Sequence, residues 1–592
     1  MQVHVVGDDP VREAVVAALG DVDIDVADAE PAALTDARFG VVSGVAGSDV
    51  FERANDAARA GSTPWVAVEI GGVGGYPLSA VDAAVSGFAP GAGTGCFDCL
   101  HDRVASNLED DEIADGPQAE RAAARLAGAV AGRECVRVLS GAEKSIIGHV
   151  VELPHQRRRL LPVPGCECAD SERDRALERD DDTLELEAAV DRAEAAIDDR
   201  VGVVASIGEV ESFPVPYYLA TNANTTAFSD ASAPRQAAGV ADDWNAALMK
   251  AVGEGLERYC AGVYRDAEFV RASEADLANA VSPTDLLRPD DAPAYDPSDE
   301  YRWVPGENLV TGEQAHLPAD AVQFPQPGPG LVPAITTGLG LGSSTVDALL
   351  SGLTEVLERD ATMLAWYSTF EPLELAVDDP AFATLERRAR SEGLDVTALL
   401  VTQDVDLPVV AVAVHRDPDD VDGDEEIDPT DDDWPAFAAG SAADLDATAA
   451  ATAALEEALQ NWMELRNLGP TEAADQSGAI GEYAAFPAPT REFVSVDAGQ
   501  VPAESVGPDP VPSGVDALES LLERAGDAGL TPYAARLTTR DVESIGFEAV
   551  RVVVPGAQPL FTDEPFFGER ARTVPDEMGF EPRLERPFHP YP

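Results

Sequence analysis

Lysine is nearly absent from this sequence. Its 592 residues include 40 Lys and Arg against 109 Asp and Glu, and the only lysines are Lys144 and Lys250. The net charge of −69 leaves no basic stripe, which disfavours nucleic-acid binding. Because the acidic residues are spread along the chain and not gathered in a tail, they indicate a surface adapted to a high-salt cytosol, haloarchaeal in kind.

Long apolar runs are absent too. No stretch of 18 apolar residues occurs, which excludes a membrane-spanning helix. The first ten residues, MQVHVVGDDP, lack the basic region and apolar core of a signal peptide, so we expect a cytosolic protein. In that compartment the six cysteines are predicted to be thiols or metal ligands and not disulfides.

Four of the cysteines form two close pairs. Cys96 and Cys99 are spaced C-x-x-C, and Cys166 and Cys168 are spaced C-x-C, 67 residues later (166 − 99). This pattern predicts a closed, structural zinc site with four cysteine ligands that joins two loops. The alternatives are unrelated buried thiols or a redox pair.

The N-terminal region alternates between strand and helix patterns, which predicts a doubly wound α/β domain. The strands are predicted at 3–6, 22–26, 39–44 and 64–70, and the helices at 10–19 and 50–60. The first turn, 7–10, reads GDDP, and its two acids would repel a pyrophosphate. We therefore expect no nucleotide at that turn. A highly charged helical linker is predicted at 169–200.

Further on, a buried-type helix at 342–366 is interrupted by acidic residues. The same E-x-x-E-R spacing occurs twice, 101 residues apart (355 − 254), as Glu254, Glu257 and Arg258 and as Glu355, Glu358 and Arg359. Residues three apart lie on one helical face, about 5–6 Å between Cβ atoms. Converging carboxylates suit Mg²⁺. The alternative is a pair of solvated helix faces in an acidic protein.

Three other segments carry candidate functional residues. Ser343 ends a glycine-rich loop and is either a helix cap or a phosphate contact. Glu456 and Gln460 share one face of a predicted helix at 447–465. The final RPFHPYP predicts a stiff, extended tail that is either docked or disordered.

Taken together, residues 201–592 resemble the YcaO family, ATP-dependent enzymes that act on peptide backbone amides. The phrases that carry the resemblance are KAVGEGLERY, GLGLGSSTVDALLSGLTEVLERDA, AALEEALQ, LTTRDVESIGFEAVRVVVPGAQPL and RARTVPDEMG. Residues 1–168, with GCFDCLHDR and PGCEC, look like the zinc-binding, ThiF-like partner domain often fused to such enzymes. The resemblance implies an α/β protein whose C-terminal domain mixes sheets and helices.

The resemblance also implies roles for individual residues. Magnesium would be bound by Glu254, Glu257, Asp347, Glu355 and Glu358. The nucleotide would be contacted by Lys250, Arg258, Ser343, Glu456 and Gln460. Arg359 would stabilise developing charge, and the terminal carboxylate of Pro592 would act as the base.

Some positions depart from the family pattern. Asp347 replaces the usual Glu, Ser343 stands where Asn is common, and Lys250 stands where Ser is usual. The phosphate loop expected near 238–241 reads AGVA and lacks its lysine.

The implied activity is ATP-dependent cyclodehydration of Cys, Ser or Thr in a ribosomally made peptide. Backbone thioamidation with sulfide and a non-catalytic peptide-binding scaffold are the alternatives. The implied ligands are ATP, Mg²⁺ and structural Zn²⁺. The implied partners are the peptide, a separate leader-binding protein and a second copy in a homodimer.

Overall fold

A computed structural model describes most of the chain. The described residues are 2–142, 145–154, 156–169, 173–328, 330–416, 434–476, 478–495, 498–561 and 564–591. None of the helices within these ranges is both long and apolar enough to cross a membrane.

The N-terminal part is an α/β unit built on one seven-stranded sheet. This unit contains nine strands among the described residues, seven of them in that sheet: β1 Gln2–Val6, β2 Asp25–Asp28, β3 Gly40–Val45, β4 Trp65–Ile70, β5 Gly72–Val73, β6 Tyr76–Pro77, β7 Ala83–Phe88, β8 His149–Leu153 and β9 Gln156–Arg159. Its helices are α1 Val11–Gly20, α2 Val50–Gly61, α3 Phe97–Asn107 and α4 Arg121–Leu139. The sheet order is β2-β1-β3-β4-β7-β8-β9, with β5 and β6 paired separately.

Helices cover both faces of this sheet, as the alternating pattern predicts. Helices α1 and α4 pack on one face, and α2 and α3 pack on the other. Strands β1 to β4 are parallel, whereas β7 to β9 are antiparallel. The strand predicted at 22–26 begins later, at Asp25, because Asp23 adopts a left-handed turn conformation with φ 56°.

The prediction of a helical linker over 169–200 is wrong for most of its length. Residues 173–185 have no regular secondary structure, and helix α5 spans only Leu186–Ala193. The extended part packs on the C-terminal part of the chain: Arg173 donates to the carbonyl groups of Leu537 and Val263 at 3.1 and 2.6 Å. Contacts with distant segments replace the local helical hydrogen bonds that its composition favours.

The C-terminal part contains three sheets. Its strands are β10 Val204–Glu211, β11 Tyr217–Asn222, β12 Gln236–Val240, β13 Val270–Ala272, β14 Tyr301–Asn308, β15 Gln314–Pro318, β16 Leu339–Gly342, β17 Leu373–Ala376, β18 Asp395–Leu400, β19 Val409–His415, β20 Phe437–Ala443, β21 Gln500–Pro502, β22 Tyr533–Arg536 and β23 Glu548–Val553. They form the sheets β10-β11-β12, β13-β14-β22-β23-β16 and β20-β19-β18-β17-β21, with β15 paired to β14.

Ten helices of the described residues accompany these sheets. They are α6 Trp244–Gly262, α7 Ala319–Val322, α8 Thr345–Trp366, α9 Pro380–Ser391, α10 Ala447–Ala473, α11 Ile480–Tyr483, α12 Ala488–Val494, α13 Gly514–Asp527, α14 Arg540–Ser544 and α15 Arg570–Met578. The predicted helix at 447–465 therefore extends further, across a kink at Gly469.

Glycines bring three strands unusually close to three helices. A Cβ at Gly239 of β12, Gly340 of β16 or Gly440 of β20 would lie 2.2–2.5 Å from backbone atoms of α6, α8 or α10, respectively. Only glycine permits this approach. The three helices therefore lie directly against the strands that precede them, and these are the helices that carry the candidate acidic residues.

Candidate active site

The three helices share a hydrogen-bonding pattern at one glutamate each. In each, the carboxylate accepts a hydrogen bond from a backbone N–H in or next to the preceding strand. The pairs are Ala238 to Glu254 at 2.6 Å, Gly338 to Glu355 at 2.9 Å and Ser441 to Glu457 at 2.5 Å. Glu457 lies 102 residues after Glu355 (457 − 355), so it begins a third copy of the repeat.

Sequence reasoning missed this third copy because its last residues differ. It reads E-x-x-Q-N, with Gln460 and Asn461 where the earlier copies have Glu and Arg. The signal in the sequence that could have identified this copy is its spacing of about 100 residues from the copy before it. Glu457 therefore joins the candidate site through its position and not through its motif.

On α6, the two predicted magnesium ligands differ in their surroundings. Glu254 forms an ion pair with Arg258, one turn later on the helix. Glu257 accepts no hydrogen bond from the described residues, and burial, together with the nearby Glu355 and Glu254, raises its pKa to about 8. A bound cation would stabilise the ionised form of a carboxyl group in this setting.

On α8, Glu358 of the predicted pair is held by a polar contact with β20. Glu358 accepts a hydrogen bond from the hydroxyl of Ser441 at 2.6 Å, and burial raises its pKa. The guanidinium of Arg359 lies 3.3 Å from Glu358 and 3.6 Å from Glu457. Burial also raises the pKa of Glu355. The site thus gathers carboxyl groups that are costly to ionise without a cation.

One cation of the site was not predicted from the sequence. Arg551 of β23 is almost fully buried, and its pKa is lowered to about 10 by burial, against the opposing effect of Glu355 and Glu257. One of its guanidinium nitrogens donates to the carbonyl of Thr336 at 3.0 Å, while Nε has no partner among the described residues. No local sequence motif marks this arginine, because the glutamates that it neighbours are distant from it in sequence.

The residues on α10 meet α6. Lys250 lies 2.5 Å from Glu456, whose other carboxylate oxygen accepts the N–H of Asp242 at 2.9 Å. Gln460 donates to Glu464 at 2.9 Å, and Glu464 also accepts the hydroxyl of Tyr217 at 3.0 Å. Sequence reasoning missed Glu464, which lies one further turn along the face of Glu456 and Gln460.

The start of α8 is contacted by the linker. Ser343 accepts the N–H of Leu184 at 2.9 Å and donates to Asp347 at 3.0 Å. Asp347 also accepts the hydroxyl of Thr183 at 2.8 Å. The helix cap is Ser344, whose hydroxyl accepts the N–H of Asp347 at 3.1 Å. Of the two alternatives for Ser343, the helix cap is therefore wrong by one residue.

The C-terminal tail is docked along its described length. Trp366 donates to the carbonyl of Pro587 at 2.8 Å, and His589 donates to that of Phe561 at 2.7 Å. Tyr591 is buried, and burial raises the pKa of its hydroxyl. The nearby Glu358 also raises this pKa, whereas Arg586 and Arg359 oppose the rise. The docked alternative is thus confirmed for residues 587–591, whereas Pro592, the predicted base, lies outside the described residues.

The four predicted zinc ligands lie together. Their sulfur atoms are all within 4.8 Å of one another, and the closest pairs are 3.6–3.9 Å apart. A zinc–sulfur distance of about 2.3 Å gives a tetrahedral edge of about 3.8 Å, which matches these separations. Arg540 donates to Cys168 at 3.0 Å, so a cation from the C-terminal part faces the cluster. Cys135 and Cys260 are buried elsewhere.

Helix α3 connects this cluster to α6. Cys99 and Arg103 share α3, and Arg103 forms a completely buried ion pair with Asp541. Asp541 also accepts the hydroxyl of Tyr259, two residues after Glu257, at 2.6 Å. The N-terminal part therefore contacts the helix that carries the first acidic pair.

Comparisons with known proteins identify relatives of this chain. A curated protein of Methanothermobacter thermautotrophicus (strain Delta H), described as uncharacterized, is 26% identical over 339 residues, which cover 55% of this chain and 82% of that protein. A solved heterocyclase in complex with substrate and cofactor is similar over 100% of this chain and 85% of its own, with a TM-score of 0.73 and 19% identity.

A second solved structure, the heterocyclase TruD, has a TM-score of 0.67 and 19% identity over 100% of this chain and 84% of its own. At these identities the structures establish the shared fold. Residues 238–558, more than half of the chain, match the family described as YcaO cyclodehydratase, ATP- and Mg²⁺-binding. This protein therefore belongs to the YcaO cyclodehydratase family.

Proposed function

We propose that this protein uses ATP to convert Cys, Ser or Thr residues of a ribosomally made peptide into thiazolines or oxazolines. The observation that carries the proposal is the convergence of Glu254, Glu257, Glu355 and Glu358, from two helices, with Arg359 in a member of the YcaO family. Magnesium bound by these carboxylates would neutralise the triphosphate and orient it.

The reaction asks the protein for positioning and for charge stabilisation. The peptide side chain attacks the preceding carbonyl carbon, and the resulting oxyanion takes the γ-phosphoryl group of ATP, releasing ADP. Loss of the amide N–H proton and expulsion of phosphate, which carries away the former carbonyl oxygen, then give the azoline, so the peptide loses one water overall. Arg359 and Arg551 would stabilise the negative charge that develops on the transferred group. The carboxylate of Pro592 would accept the proton of the attacking side chain.

We also propose that Cys96, Cys99, Cys166 and Cys168 hold a structural zinc ion in a ThiF-like domain formed by residues 1–168. Four thiolates fill the tetrahedron, so this site leaves no open position for catalysis. Arg59 and Arg540 lie beside the cluster and offset its negative charge. We propose that the partners are a precursor peptide, a separate leader-binding protein and a second copy of the chain.

The function is tested by mass spectrometry of a precursor peptide encoded beside the gene. The peptide is incubated with the full-length protein, Mg²⁺ and ATP in concentrated KCl. We expect the loss of one water per modified residue, only with ATP. The variant Glu257→Gln should lower this rate by a factor of about 100 or more, because it removes a carboxylate from the magnesium site.

The matched control is Glu519→Gln, which changes an exposed acid on α13 and should retain the wild-type rate. A wild-type rate in the Glu257 variant would contradict the assigned site. Exchange of oxygen for sulfur in the presence of sulfide would instead identify thioamidation. ATP binding without any change in the peptide would favour a scaffold.

A further inference from the structure

A cleft of about 520 Å³ is lined by residues of the linker helix α5 and of α6. It includes the predicted magnesium ligands Glu254 and Glu257 and the predicted nucleotide contacts Lys250 and Ser343. Its apolar lining comes from several elements, namely Leu186, Ala189, Ala238, Ala246, Met249, Leu341 and Phe547. The linker therefore forms one wall of the candidate nucleotide site.

The cleft changes character along α6. Ala246 and Met249 lie near the start of this helix, and Glu257 lies 11 residues after Ala246 (257 − 246). At 1.5 Å per residue this is about 16 Å. The start of α6 therefore brings two apolar side chains and Lys250 to the cleft, and its later part brings acidic groups. This arrangement suits a ligand with a flat apolar group joined to a magnesium-bound anion.

The linker is fixed in place by hydrogen bonds to the start of α8. In addition to the contacts of Thr183 and Leu184 with Asp347 and Ser343, the carbonyl of Asp180 accepts the N–H of Val346 at 3.1 Å. These bonds join the linker to the start of α8 immediately before α5 begins. Leu186 consequently remains 39% exposed at a defined position facing the cleft.

We infer that the linker between the two domains supplies the nucleobase wall of the ATP site, with the base against Leu186, Ala189 and Met249. The triphosphate then runs along α6 toward Glu254 and Glu257. A base presents large apolar faces, and burying them against apolar side chains is favourable. This inference rests on the proposal that the protein binds ATP. It makes the linker, in addition to the C-terminal part, necessary for a complete nucleotide site.

The test compares two ligands that share the triphosphate and differ in the base. Isothermal titration calorimetry on the full-length protein in concentrated KCl measures the Kd of ATP and of inorganic triphosphate, each with Mg²⁺. We expect Leu186→Ala and Leu186→Gln to raise the Kd of ATP about fivefold or more. The Kd of inorganic triphosphate should stay within about twofold.

The matched control is Leu177→Ala. Leu177 is a half-buried leucine of the same linker that packs against another cluster, so this variant should bind ATP as the wild type does. An unchanged Kd for ATP in both Leu186 variants, or an equal loss for both ligands, would overturn the inference. If the wild-type protein binds neither ligand, the proposed ATP-dependent function itself fails.

Discussion

At the scale of single residues, the site depends on which carboxyl groups are deprived of water. Glu257 and the exposed Glu519 are chemically identical, yet only the first lies among other buried acids beside Arg551. Desolvation and neighbouring like charge both disfavour the ionised form. A bound cation reverses that preference, which is why a cluster of this kind suits Mg²⁺.

A buried carboxyl group outside the site provides a prediction on pH. Glu69 is fully buried, accepts the N–H groups of Gly74 and Gly75 at 2.8 and 2.7 Å, and has a pKa raised by burial to about 7. Because the folded form holds this proton more tightly than the unfolded form, stability is lost as the pH rises from about 4.5 to 7. The loss amounts to roughly 3 kcal/mol.

Urea denaturation in concentrated KCl at several pH values measures this effect. Glu69→Gln does not titrate, so the difference in unfolding free energy between wild type and variant should change by that amount across the window. The control, Glu519→Gln, should show the wild-type pH dependence because Glu519 is exposed. A constant difference between wild type and Glu69→Gln at all pH values would contradict the prediction.

At the scale of secondary-structure elements, the site is built by one unit used three times. Each unit is a strand with a glycine in close contact with a following helix, and one glutamate of that helix accepts a backbone N–H. The close approach shortens the distance between strand and helix, so that this hydrogen bond can form. The unit explains why the acidic residues recur about every 100 residues.

The cysteine cluster joins elements from both parts of the chain, and its metal content is a further prediction. Elemental analysis of the purified protein should find one zinc ion per chain, and Cys166→Ser should lower that content and the melting temperature. Replacing one of four thiolates weakens the tetrahedral site.

Cys135→Ser is the matched control, since Cys135 lies outside the cluster, and it should retain the full zinc content. Full zinc content in Cys166→Ser as well would contradict the assigned ligand set.

At the scale of the whole molecule, the net charge of −69 disfavours the compact folded state through self-repulsion. Like charges over the surface repel one another, and salt screens them: the Debye length falls from about 10 Å at 0.1 M to about 3 Å at 1 M. We therefore expect the melting temperature to rise by several degrees, roughly 5–15 °C, between 0.2 and 2 M KCl.

Differential scanning calorimetry across a KCl series tests this expectation. Sucrose at equal osmolality stabilises folded proteins without screening charge, so it serves as the control and should give a smaller rise. Equal effects of KCl and sucrose would show that screening is not the cause.

Much of the architecture follows from the sequence alone. Periodicity predicted the alternating strands and helices of the N-terminal part, and the spacing of Glu254, Glu257, Glu355 and Glu358 predicted their shared helical faces. The cysteine spacing predicted the cluster. These features are local, or they repeat a local pattern, and side-chain periodicity depends only on the local backbone.

Tertiary structure decided the rest. The linker is mostly extended because distant segments supply its partners, and Arg551, Glu457 and Glu464 join the site through chain contacts that no nearby motif encodes. The burial that raises the pKa of Glu257 exists only once sheets and helices enclose it. The sequence by itself therefore determined which residues could bind a cation, and packing determined which of them lose enough water to require one.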